Sequence, residues 1–461
     1  MTRANPRIGR LFAGLCLAAA LSVSVSAPAA GSDGSSGGDD TVAITGATVH
    51  TMGPQGTLSP AILLIENGRV AAVGTDVDIP AGARRIDATG KVITPGLFDP
   101  ASVLGVEEIS LEASTVDHVQ RGERYTAAFA VAPAINPRST LIAINRIEGV
   151  TRALVAPTSS GPDEAGVRSS VISGLGAVIS LSGDPGSVTR ERAALFARLG
   201  SAGGAVAFGS RAEALLRLES ALRDAAEYAD NTEAYSRGER RTLSVSAEDL
   251  EALQPVLAGD MPLVVDVERA SDIDAVLALA LEHGLRLVIS GGSEAWMRAD
   301  KLAAAGVPVI LNPLANLPAD FDRLEATLEN AARLHEAEVT LVFSAGDSHN
   351  PRNITQAAGN AVAHGLPWHE GLRAITRAPA EVFGLGDELG AIRPGLAADL
   401  VVWDGDPLEV TSFPDQVFID GAAVPMRSRQ TLLRDRYRDP AGAPDRGLPP
   451  AYVRPWTGEE F

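Results

Sequence analysis

The sequence predicts an α/β protein: a (β/α)8 TIM-like barrel joined to a β-sandwich built from both ends of the chain. Three observations predict it. Short apolar runs broken by Gly, Asn-Gly and Pro fill residues 42–98 and return in 388–424. Between them, near-continuous apolar runs alternate with amphipathic stretches, the pattern of strands buried on both faces of a parallel sheet. The later runs recur at intervals of roughly twenty to thirty residues, which suits βα units closing into a barrel.

The elements follow in order. Arg3, Arg7 and Arg10 precede the apolar "LFAGLCLAAALSVSVSA" (11–27), and Ala27-Pro28-Ala29 offers small residues for cleavage. Residues 1–30 therefore read as a signal peptide, which predicts a periplasmic or secreted protein. Residues 31–41, rich in Gly, Ser and Asp, read as a flexible linker. In 42–98, Asn67-Gly68 between two apolar runs predicts a hairpin. The barrel is expected over 99–387, with strands at 150–157, 177–183, 262–268, 285–290, 307–313 and 339–346. Helices are expected in "SDIDAVLALALEHG" (271–284), "SEAWMRADKLAAAG" (293–306) and "ADFDRLEATLENAARLHEAE" (319–338). Residues 190–260 read as helical, with one strand at "GAVAFG" (204–209). The chain returns to the sandwich over 388–424, and 425–461 reads as an extended arm.

Composition narrows the function. The formal net charge of −19 argues against nucleic acid or an anionic membrane as partner. The one cysteine, Cys16, lies in the signal segment, so the mature chain would have neither thiol catalysis nor disulfides. Lysine occurs only at Lys91 and Lys301.

Two motifs carry a family resemblance. "GKVITPGLFD" (90–99) stands where the first β-rich part meets the barrel, and "LGAIRPGLAADLVVWDGDPLE" (389–409) where the chain comes back. With "EGVTRALVAP", "VISGLGAVISLSGD" and "ITRAPAEVFGL", they make the chain resemble the amidohydrolase superfamily, specifically its imidazolonepropionase-like exported members. The resemblance implies hydrolysis of carbon–nitrogen bonds other than peptide bonds, in a small substrate such as a cyclic amide. It also implies one or two divalent metals at the C-terminal ends of the barrel strands. Their ligands would be a His-x-His on the first strand, histidines on the fifth and sixth, an Asp on the eighth, and a bridging Lys or Glu. Metal is used there because it lowers the pKa of bound water from 15.7 to about 7.

Most of the implied ligands are missing. Ala101 and Val103 stand at the His-x-His positions, Asp266 at the fifth strand, and Gly291 and Gly292 at the sixth. No lysine lies between 92 and 300, which removes the bridge. Asp347 alone keeps its residue type, with His349 two positions on. Asp347 is thus the candidate catalytic group, a proton shuttle. Asp266, Glu268, Glu294 and His349 are candidates for substrate binding. Asp266 and Glu268 share one face of their strand, and pairing with Arg269 or another arginine is the plainer account of both. No metal is assigned; if one binds, it is a single Zn, Mn or Mg in an atypical site. The partners expected are a small-molecule substrate or ligand, with no nucleic acid and no membrane after signal cleavage. The alternative to a hydrolase is a catalytically inactive binding protein, or one subunit of an oligomer with itself or with an intact homologue.

Overall fold

The computed structural model describes residues 41–438, apart from 123, 162–169, 208 and 347–349. Residues 1–40, where the signal peptide and all but the last residue of the linker are expected, and residues 439–461 lie outside the described residues. So do two site candidates, Asp347 and His349.

The chain first lays down β1 (Val42–His50), β2 (Thr57–Glu66), β3 (Arg69–Gly74), β4 (Arg84–Asp87) and β5 (Val92–Pro95). Asn67 and Gly68, both at positive φ, make the expected tight turn between β2 and β3. The barrel strands follow as β6 (Leu97–Ser102), β8 (Val150–Val155), β10 (Ile172–Ser180), β11 (Val188–Arg198), β12 (Leu263–Val267), β13 (Leu287–Gly291), β14 (Val309–Leu311) and β15 (Leu341–Phe343). Two short strands, β7 (Val119–Gln120) and β9 (Thr158–Ser159), pair with each other in connecting loops. The chain ends in β16 (Leu400–Trp403), β17 (Pro414–Ile419) and β18 (Ala422–Ala423).

Strands from both chain ends form one eight-stranded sheet, ordered β18-β17-β16-β5-β1-β2-β3 with β4 beside β1. The join is the β5–β16 ladder, where Val92 faces Trp403 and Pro95 faces Leu400. The two sequence motifs are thus partner strands. Arg152, buried on β8, ties this sheet to the barrel: its Nε donates to Asp399 at 2.6 Å and its Nη2 to Asp420 at 2.6 Å. Asp399 is the Asp of "GLAADL".

The second sheet runs β15-β14-β13-β12-β11-β10-β8-β6, a nearly closed barrel. Ser344, just past β15, donates to Asp99 on β6 at 2.8 Å and bridges the seam. Phe98, Leu154, Val178, Phe196, Val264, Val288, Ile310 and Val342 supply one residue per strand to a single buried cluster, the lumen core. Ala378, Ala380 and Phe383 join that cluster and close the N-terminal end of the barrel.

Two departures from the expected pattern have clear causes. β10 runs antiparallel to both β8 and β11. Ser180 N–H bonds Ser187 O across a tight turn at 2.7 Å, so 172–198 is a hairpin, and among the described residues no helix lies between β8 and β10. A parallel strand would need a crossover. The stretch "VTRERAALFAR", read as helical, is β11, and the expected strand "GAVAFG" falls instead at the end of helix α2 (Gly200–Val206) and just beyond it. Here the open sheet edge overrides the helix propensity of Arg, Glu and Ala.

The helices are α1 (Thr140–Arg146), α2, α3 (Arg211–Ser236), α4 (Ala247–Leu257), α5 (Ala270–His283), α6 (Ala299–Ala304), α7 (Asn330–Glu336), α8 (Ile354–Ala363), α9 (Trp368–Ala374), α10 (Arg377–Val382) and α11 (Arg429–Arg438). α11 replaces the first part of the expected arm. The helix expected over 319–338 forms only as α7; residues 316–329 are turns and irregular backbone.

Candidate functional site

Side chains alternate along a strand, so the residue two past each lumen-core position points inward at the next level. That level comprises Arg198, Asp266, Ser290, Asn312 and Ser344. One step further, at the C-terminal mouth, come Glu268 and Gly292. Both strand-five candidates therefore line the mouth.

Each has a guanidinium partner. Asp266 accepts from Arg198 Nε at 3.3 Å, and Arg198 also donates to Ser159 O at 2.9 Å. Glu268 pairs with Arg323 Nη2 at 2.9 Å, and its other oxygen accepts from the Ser293 amide at 2.9 Å and hydroxyl at 2.6 Å. Burial pushes the Glu268 carboxyl above its ordinary pKa, and the Asp266 charge adds to this, against the pull of Ser293 and Arg323. The pairing is to arginine, as the plainer account expected, but the arginines are Arg198 and Arg323. Arg269 instead reaches Asp272.

Glu294 is nearly buried and spends both oxygens on backbone. It accepts from Ala270 N–H, at the start of α5, at 3.0 Å and from Glu325 N–H at 3.2 Å. It positions the loop over the mouth rather than presenting a free carboxylate to it.

The sixth-strand position is shaped against a ligand. Gly291 and Gly292 have φ of +88° and +59°, a region side chains rarely adopt. A Cβ on Gly291 would lie 2.8 Å from Glu268 Oε1 and 2.9 Å from its carboxyl carbon. The Glu268 carboxylate thus occupies the space that a residue-291 side chain would need.

Asp99 closes the set. It is fully buried between β6 and β15, and its Oδ1 accepts from Ala101 N–H at 3.0 Å and from Ser344. Its Oδ2 has no partner among the described residues. Burial raises its pKa to about 6.

A divalent metal does not fit the described residues. Ala101, Val103, Gly291 and Gly292 offer no side-chain donor, and the two carboxylates present are held by guanidinium groups. Among the described residues, no three His, Cys, Asp or Glu are grouped to hold a metal ion.

Sequence reasoning missed Arg198, Arg323, Ser293 and Ser344. Only Ser293 carried a local signal, directly after the double glycine; the others reach the mouth from separate βα units.

Comparisons with known proteins agree with this architecture. The model of the family described as "Amidohydrolase family" matches residues 219–424. A crystal structure of an amidohydrolase from Thermotoga maritima MSB8 matches with a TM-score of 0.74 and 26% identity, covering 84% of this chain and 100% of that one. Amidohydrolase tasK of Hapsidospora irregularis is 46% identical over 74 residues, which is 16% of this chain and 8% of that protein. The imidazolonepropionase of Klebsiella pneumoniae (strain 342) is 48% identical over 46 residues, 10% of this chain and 11% of that protein. The chain therefore spans only 8 to 11% of the length of these curated relatives.

Proposed function

This chain belongs to the amidohydrolase superfamily, among its imidazolonepropionase-like members, and we propose that it is a hydrolase of that family whose two-metal centre has given way to a guanidinium–carboxylate cluster. Its substrate in this reading is a small molecule with a non-peptide carbon–nitrogen bond, such as a cyclic amide, met in the periplasm.

The observation that carries the reading is the Glu268 carboxylate standing over Gly291 at the end of the fifth strand. A carboxylate with a raised pKa at the mouth can take a proton from an attacking water once Arg323 leaves its Oε1. Positioned general bases contribute about 10²–10⁴-fold. Arg198, paired with Asp266, puts positive charge at the mouth to meet the amide oxygen as it becomes anionic. Asp347 keeps its role as proton shuttle, on its sequence position alone.

The test uses the purified mature protein against a panel of lactams, hydantoins and N-acyl amides. Expected is turnover that survives chelator and drops at least 100-fold in Glu268→Gln. Near-stoichiometric Zn, Mn or Mg required for activity would overturn the metal-free reading.

A second reading rests on a specific feature: both mouth carboxylates already have guanidinium partners. A barrel in that state binds a small molecule, or a partner subunit, without turning it over. Specific binding at the mouth with no turnover across the panel would establish that reading instead.

A further inference from the structure

The loop after β14 is tied across the mouth. Asp322 pairs with Arg211 at the start of α3 and accepts from Ser201 N–H, in α2, at 3.3 Å. Arg323 pairs with Glu268 past β12. Glu325 donates its N–H to Glu294 past β13, and its carbonyl accepts from Trp296 Nε1 at 2.8 Å. Residues 322–325 thus reach back from the seventh barrel strand to the units of the fourth, fifth and sixth. On the outside of this strap Leu317, Phe321 and Leu324 stand in solvent, 53%, 86% and 59% exposed. Asp322 and Arg323 turn toward the mouth while these three apolar side chains face water, the reverse of a loop folded to bury its own hydrophobic groups. What holds the strap is a set of polar ties.

The central tie is the informative one. A planar guanidinium, carried on irregular backbone, sits against a carboxylate already fixed by the Ser293 amide and hydroxyl. Withdrawing Arg323 would leave Glu268 beside Asp266 with only Arg198 nearby, an acidic recess framed by hydrogen-bond donors. The group matched to the freed Glu268 Oε1 is, like the guanidinium it replaces, a compact cation that donates N–H.

We propose that Arg323 is an internal surrogate for the ligand's cationic group, so that the mouth selects small guanidinium- or amidinium-bearing molecules and the strap must yield to admit them. This rests on the reading of the mouth as the ligand site, and deepens it by naming a substrate class. The apparent affinity is the intrinsic affinity reduced by the fraction of molecules with the strap open. Any change that empties the Glu268 contact therefore tightens binding of the right cation.

The probe is benzamidine, with neutral benzamide as its isosteric control, measured by calorimetry on the full mature chain. Arg323→Gln is expected to bind benzamidine at least tenfold more tightly than wild type, with benzamide unchanged. Adding Glu268→Gln should abolish the gain. Equal or weaker benzamidine binding in Arg323→Gln, or an equal gain for benzamide, overturns the proposal. Should Arg323→Gln fail to fold, hydrogen exchange on wild type decides. Benzamidine should speed exchange at the amides of Glu325 and Ser201, which the strap ties protect. Binding that leaves both amides unchanged sinks the idea. The hydrolase reading is scored separately by turnover: a tenfold binding gain without turnover refutes hydrolysis and keeps the surrogate, and the converse result does the reverse.

Discussion

Replacing Gly291 by alanine tests the geometry on which the mouth depends. The new Cβ would lie 2.8 Å from Glu268 Oε1, closer than real contacts allow, and a tight 3.1 Å from Oε2. Two costs follow. A side chain at φ +88° costs about 1–3 kcal/mol. Glu268 must also move off Ser293, losing hydrogen bonds to a charged group worth about 1.5–3 kcal/mol. The total is about 3–5 kcal/mol. At about 2.1 cal/mol/K of unfolding entropy per residue, a chain of this size should lose about 3–5 °C in melting temperature. The assay is a double-mutant cycle by thermal and urea unfolding, with Gly291→Ala measured in wild type and in Glu268→Ala. In the second background only the backbone strain remains, so the alanine should cost about 2 kcal/mol less. Equal costs in both backgrounds would refute the claim that Glu268 fills the space above Gly291. The same steric fact predicts that Gly291→His does not regain a metal ligand.

Three further outcomes are expected. Arg152→Met leaves Asp399 buried without its partner and should cost about 3–5 kcal/mol in urea unfolding; a loss under about 1 kcal/mol would contradict its role in joining barrel and sheet. Asp99 has a folded pKa of about 6, above the ordinary carboxyl value of 3.8, so it contributes stability that is fully present below about pH 3.8 and lost as pH rises through about 6. The difference between the wild-type and Asp99→Asn stability curves should therefore change by about 3 kcal/mol across that window, and a flat difference curve would show that the carboxyl is not perturbed. Glu294→Ala removes the acceptor for Glu325 N–H and should make the 316–329 strap the first site of limited proteolysis; cleavage elsewhere first would deny Glu294 its role in holding the loop.

The sequence alone determined the frame, because the frame is written in local patterns. Alternating apolar runs and amphipathic stretches specify strands and helices, and Asn67-Gly68 specifies its turn wherever it sits. "GKVITPGLFD" and "GLAADLVVWD" marked the same junction from opposite ends of the chain, and the β5–β16 ladder shows them to be paired strands. That Ala101, Val103 and Gly291 carry no side-chain donor was equally legible, since an absent donor needs no geometry to establish. The tertiary structure decided what stands around those positions. Arg198, Glu268, Ser293 and Arg323 come from four separate βα units, and no local periodicity links an arginine on β11 to an aspartate on β12. The stretch 316–329 has the composition of a helix, yet its Asp322, Arg323 and Glu325 make stronger bonds across the mouth than a solvent-exposed helix would give them. Propensity is a property of a segment, whereas a charge pairs with whatever the fold brings within reach, and that proximity exists only once the barrel has closed.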